Sequence, residues 1–215
     1  IGVRLVGSEM CIRDRYCSSN MVFAHLAPVA FLILGLAFVN LMTNVTALVA
    51  NKTKVKFYWP HTIFCFITFF TMILFWWTCY PLNNLDYFPN TGWNLFTYLL
   101  FLAVPMLMFM LCEIVTPHHT IDYVKTIDLK EYYYKYYRII LSLAWTLQVF
   151  LLGNFFVFYA EEYYSVKVLG RVIMLLIMLP LIISSNRRLH EIGMTIFFMG
   201  FIYTIIKYHI WNVYF

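Results

Sequence analysis

Charged side chains are scarce in this sequence: they make up 12% of its 215 residues, where a soluble globular domain carries about 25%. With 63% of the residues hydrophobic, too little polar surface remains to cover a water-soluble fold. The same deficit excludes a disordered chain, which needs low hydrophobicity. Five cysteines occur without paired spacing, which excludes a disulfide-stapled secreted domain and a C-x-x-C redox or zinc motif. Also missing are a glycine-rich phosphate loop, a G-x-S-x-G elbow and an H-E-x-x-H helix. No catalytic constellation is left, and enzymatic activity is not expected. The class that remains is an integral membrane protein.

What the chain has in abundance is aromatic and apolar residues: 21 Phe, 17 Tyr and 6 Trp. In a membrane protein these face lipid or sit at its interfaces, and no basic-aromatic pattern of a nucleic-acid surface accompanies them. The first twenty residues differ from the rest. They are polar, carry charges of both signs and lack the apolar core of a secretory signal, and the composition changes sharply at Met21. The run VGSEMCIRDR resembles the translated reading of a sequencing adapter, so residues 1–20 are expected to be a non-native leader and residues 21–215 one transmembrane domain.

Crossing a hydrocarbon core of about 30 Å takes roughly 20 apolar residues at 1.5 Å each. Six segments meet that requirement, at about 22–49, 58–80, 93–115, 138–159, 166–184 and 193–214. The expected fold is an all-α polytopic bundle. Pro81, Asn83, Asn84, Pro89, Asn90 and Gly92 punctuate the stretch before the third span. Ahead of the fourth, Asp128 and Glu131 have capping-box spacing, which predicts a helix starting near Leu129, with Glu131 and Lys135 four apart and able to pair. Basic residues cluster in alternate connections: Lys52, Lys54 and Lys56; Lys125, Lys130, Lys135 and Arg138; Arg187 and Arg188. By the positive-inside rule these three loops are cytoplasmic and both ends of the chain from Met21 lie outside, so the net charge of +5 is largely a topology signal.

Polar groups inside a span are costly and therefore mark candidate sites. Asn40, Thr43 and Asn44 share one face of the first span toward its cytoplasmic half, while His61 begins the second and Glu113 ends the third at similar depth. They form a candidate polar cluster, whose default reading is helix–helix packing. Trp59, Trp76, Trp77, Tyr132, Tyr133, Tyr134, Tyr136, Tyr137 and Arg138 read as interfacial anchors, the tyrosines as an aromatic belt. Gln148 and Asn154 place polar groups at mid-membrane without sharing a face, and Arg171 and Lys207 can snorkel outward. Histidines permit two bis-histidine haems on paper, His61 with His190 and His25 with His209, but His190 falls in the loop NRRLHEIG, and the adjacent His118 and His119 point apart with no third ligand spaced for zinc. No cofactor is expected.

The stretch ILGLAFVNLMTNVTALVANKTKVKFYWPHTIFCFITFFTMILFWWTCY, followed later by DLKEYYYKYYRII, resembles a group of bacterial multi-pass inner-membrane proteins of similar length and no assigned activity. The likeness covers about residues 33–140 and implies a helical fold in the bacterial inner membrane, with no catalytic residue to transfer. The first functional expectation is a small transport or channel-like module with its polar cluster near the cytoplasmic face. The alternative is a non-transporting accessory subunit or sensor, and the third is a haem-binding redox protein. Partners beyond the lipid bilayer, whether another protein or a second copy, are left open.

Overall fold

The computed structural model describes the backbone of residues 3–50, 54–79, 93–117, 126–159 and 166–207, with side chains from residue 23 onward apart from 159, 166 and 167. Six helices account for nearly all of it: α1 Val3–Ala50, α2 Trp59–Thr78, α3 Leu95–Val115, α4 Leu129–Tyr159, α5 Val166–Ile183 and α6 Arg187–Ile205. Four segments are long and apolar enough to cross a membrane: Phe23–Ala50, Trp59–Thr78, Leu95–Val115 and Leu129–Phe158. The all-α bundle is as expected. The leader's side chains, His118, His119, Lys52, Lys125 and His209 lie outside the described side chains, as do Glu161 and Glu162, the carboxylates toward which Arg171 was expected to snorkel.

The helix ends follow from local chemistry. Tyr58 is extended (φ −123°, ψ 112°) and Pro60 sits in the first turn of α2, where its missing N–H costs nothing. Asn94 caps α3 reciprocally with Thr97: the Thr97 amide donates to Asn94 Oδ1 at 2.9 Å and the Asn94 amide to Thr97 Oγ1 at 2.9 Å. At the other end Pro117 forces Thr116 out of the helical region (φ −117°, ψ 141°), and α3 stops there. Asp128 Oδ1 accepts from the amides of Lys130 at 2.9 Å and Glu131 at 3.3 Å, so α4 begins at Leu129 as its spacing predicted. Lys135 Nζ lies over the Tyr136 ring, 5.2 Å from its centroid.

The helices form a closed circuit in the order α1, α3, α4, α5, α6, α2, with α2 also touching α3 and α4. A two-residue bridge joins the connections: β1 Val55–Lys56 pairs in parallel with β2 Ile127–Asp128, Val55 opposite Ile127 and Lys56 opposite Asp128. Since each strand leads directly into a helix, α2 and α4 start side by side and run the same way. Apolar residues fill the interior, among them Leu41, Met72, Phe101, Val104, Met108, Leu111, Tyr133, Ile140 and Leu141. Apolar residues also cover much of the outside: Leu32, Leu36, Val39, Phe96, Leu99, Leu176 and Met199 are all exposed, as suits contact with lipid.

Glycine decides how closely α5 and α6 pair. A Cβ on Gly193 would meet Leu181 Cδ2 at 2.5 Å, and one on Gly200 would collide with Met174 Cε. The two glycines are seven residues apart on α6 and their partners seven apart on α5, so one notch face receives two side chains in antiparallel register.

Candidate functional site

The last carbonyls of any α-helix lack intrahelical donors, and in a bundle without water they need side chains instead. At the C-terminal end of α3 two other helices supply them, and a third helix bonds the Thr116 hydroxyl beside them. His61 Nε2, on α2, donates to the Val115 carbonyl at 2.6 Å. Tyr132 Oη, on α4, donates to the carbonyls of Ile114 at 2.8 Å and Thr116 at 3.3 Å. Asn44 Nδ2, on α1, donates to Thr116 Oγ1 at 3.0 Å and to Asn40 Oδ1 at 3.2 Å. Thr116 Oγ1 in turn donates to the Cys112 carbonyl at 3.4 Å. Because a carbonyl only accepts, His61 carries its proton on Nε2 in the neutral ring, leaving Nδ1 to face Cys65 Sγ at 3.9 Å.

The expected polar cluster therefore divides. Asn40, Asn44 and His61 come together around α3, with Asn44 4% and His61 1% exposed. Thr43 points outward and bonds the Val39 carbonyl of its own helix at 2.8 Å. Glu113 is half-buried at the end of α3. Asn40 Nδ2 is buried without a hydrogen-bond partner.

A second group adjoins the first. His190 is fully buried on α6, which corrects its placement in a wet loop: the connection from α5 is only three residues long, and the helix restarts at Arg187, capped by Asn186 Oδ1 accepting from the Arg188 amide at 3.0 Å. His190 Nε2 donates to the Ser184 carbonyl at 2.7 Å. Its Nδ1 is then the acceptor of the neutral ring, and Tyr133 Oη donates to it at 2.9 Å. One imidazole thus ties α4, the end of α5 and α6 together. Tyr133, Tyr134 and Tyr137 surround it, Tyr137 edge-on at 4.9 Å. Tyr133 also contacts the His61 ring at 6.4 Å and Tyr58 at 5.7 Å, and Tyr58 Oη lies 3.2 Å from Tyr134 Oη.

The aromatic belt accordingly needs correction. Tyr133 is completely buried and Tyr137 is 6% exposed; Tyr132 and Tyr134 turn their hydroxyls inward. The helix period explains this, because Tyr133, Tyr137, Ile140, Leu141, Ala144 and Leu147 recur every three or four residues along the buried face of α4. Trp59, Trp76 and Trp77, by contrast, are exposed at the two ends of α2, and Arg138 is exposed as well.

Two groups outside the spans have shifted acidities. Burial, with help from the Tyr134 hydrogen bond, raises the Tyr58 phenol well above its usual range. His190, ahead of the apolar run that begins at Gly193, is held below the usual histidine value by burial, the Ser184 carbonyl working the other way.

Further along α4, Asn154 Nδ2 donates to the Leu100 carbonyl of α3 at 3.2 Å and to the Phe150 carbonyl of its own helix at 3.0 Å, while Trp145 Nε1 reaches the Leu175 carbonyl of α5 at 3.2 Å. Gln148 is half-buried, Arg171 lies over the Phe155 ring and Lys207 Nζ donates to Tyr203 Oη at 3.0 Å. Among the described residues no group of three or more His, Cys, Asp or Glu gathers to hold a metal. Both buried histidines spend Nε2 on backbone carbonyls, so neither presents that nitrogen to a haem iron.

Fold and site together define a helical membrane protein whose polar side chains congregate at one end of the bundle. No protein-family model, curated protein or solved structure matches the chain.

Proposed function

We propose that the protein is a six-span bacterial inner-membrane protein that serves as a non-transporting accessory or sensory module, its polar groups fastening the bundle. One observation carries this reading: two of the side chains expected to line a path, Asn44 and His61, are spent on the end of α3 and are buried where a transport route would keep them wet. A small transport or channel-like module would need water to reach Asn44, His61 and Glu113.

In this reading α5 and α6 cross as well. The 18 residues of α5 give about 27 Å of helix, and the apolar run 193–214, read as helix from its sequence, about 33 Å, both close to the hydrocarbon thickness of about 30 Å. The end holding the α3 cap carries Lys54, Lys56, Lys130, Lys135, Arg138, Arg187 and Arg188, and so faces the cytoplasm.

Cysteine accessibility tests the proposal. In a background lacking the native cysteines, Asn40→Cys and Asn44→Cys should resist a water-soluble thiol reagent in the folded protein and react once it is denatured. Rapid labelling of the folded protein would put a wet cavity at the cluster and restore the transport reading. A Soret band in the purified protein would restore the haem reading.

A further inference from the structure

The outward face of α4 carries a groove of about 340 Å³ lined by Arg138, Ile139, Ser142, Leu143 and Thr146. Arg138, Ser142 and Thr146 stand four apart and form one stripe of a helix face that is otherwise apolar, with Ile139 and Val149 exposed beside it. Thr146 Oγ1 donates to the Ser142 carbonyl at 2.9 Å, so its polarity is settled within the helix. Arg138 is different. Its Nε donates to Tyr137 Oη at 3.0 Å and its guanidinium lies 5.7 Å from the Tyr137 ring centroid, which fixes the stem and leaves the terminal fork facing out. Among the described residues no carboxylate pairs with it.

Depth locates this cation. Within the candidate span Leu129–Phe158 the charged residues Lys130, Glu131, Lys135 and Arg138 all fall in the first ten positions, and the uncharged run that follows from Ile139 is long enough to cross the hydrocarbon, so Arg138 stands at the level of the lipid phosphates. Lys135 lies one turn further toward the water. A fixed guanidinium fork matches a phosphate through two parallel hydrogen bonds. A second copy packed on the same stripe in the same membrane orientation would instead bring Arg138 against its own counterpart across the two-fold axis.

We propose that this groove binds an anionic phospholipid. Arg138 holds the headgroup phosphate, Lys135 adds attraction for the negative headgroup, and one acyl chain lies along Ile139 and Leu143 past Ser142 and Thr146.

The test uses the full chain reconstituted in phosphatidylcholine vesicles with and without phosphatidylglycerol, then released into mild detergent for native mass spectrometry. Phosphatidylglycerol should stay bound to the parent protein and to Arg188→Ala, an exposed arginine at the same end. Its retention should fall about tenfold in Arg138→Ala. Arg138→Gln, which keeps the stem on Tyr137, and Ser142→Phe, which fills the groove and spares the charge, should both lose it too. Equal retention of phosphatidylcholine, or undiminished phosphatidylglycerol on Arg138→Ala, would overturn the proposal. So would ready disulfide formation between Ser142→Cys chains in the membrane, which would place a second copy in the groove.

Discussion

Replacing Tyr132 with Phe removes one oxygen and leaves the ring in place, so it isolates the hydroxyl that reaches two carbonyls at the end of α3. At 2.8 and 3.3 Å from the Ile114 and Thr116 oxygens, that hydroxyl is a strong donor to one acceptor and a weaker donor to the other. A hydrogen bond between transmembrane helices is worth about 0.6 kcal/mol on average and about 1.7 at most, while a buried acceptor stripped of its donor costs about 1–3 kcal/mol. Thr116 is fully buried, and Asn44, which also bonds it, is already committed to its hydroxyl. A loss of about 1–2 kcal/mol in equilibrium unfolding, measured by titrating folded protein in mixed micelles with a denaturing detergent, is therefore expected. His61→Ala should cost more, about 2–4 kcal/mol, because it opens a cavity and strips Val115 of its donor. Since both side chains cap adjacent carbonyls, the double variant should depart from additivity by at least about 0.5 kcal/mol. If Tyr132→Phe unfolds like the parent, or the two losses simply add, the ends of α1, α2, α3 and α4 are not held by one shared network and the account of the site fails.

Other expectations concern the α5–α6 side. Gly193→Ala should destabilise the protein by about 1–3 kcal/mol, since Leu181 is branched where the new methyl would sit, and adding Leu181→Ala should recover part of that loss in the same titration. Gly200→Ala should cost less, because its obstacle is the flexible end of Met174. His190 has a folded-state pKa below its unfolded one, so the unfolded chain binds more protons between the two values. Stability is thus complete above about pH 6.5 and drains away as pH falls below it, and unfolding of His190→Gln compared with the parent between about pH 5 and 8 should show a flatter profile. A parent protein equally stable at both ends of that range would contradict the burial of a neutral ring.

Length and punctuation make the bundle readable in the sequence. Asp128 acts within a turn of a helix end, and local rules reach that far; Pro60, the Asn94–Thr97 pair and Pro117 act at the same range but were not read as caps or stops. The polar cluster was legible in part: Asn40, Asn44 and His61 were placed at one depth, and they do gather. The roles of Thr116, Tyr132 and His190 in the site were not recognised, because the partners Asn44, Thr116 and Tyr133 that tie them to other helices lie between 16 and 72 residues away and only packing brings them close. Tyr133 and Tyr137 did carry a readable signal, the three-and-four spacing that continues into Ile140, Ala144 and Leu147, but five tyrosines in one short stretch also suit an interfacial belt. Composition and periodicity competed there, and periodicity was the better guide.

The pairing of Val55 with Ile127 has a consequence for how the protein is made. Its two strands are separated by the whole of α2 and α3, so the bridge cannot close while only the first helices have emerged from the ribosome. The α3 cap shares that dependence, since Tyr132 reaches the insertion machinery after Asn44, His61 and Thr116. Until then, carbonyls that end up sealed within the bundle must be served by water at the membrane surface. Biogenesis therefore contains a commitment point at the start of α4, and a chain truncated before Leu129 should be degraded as an orphan even though three of its helices have crossed.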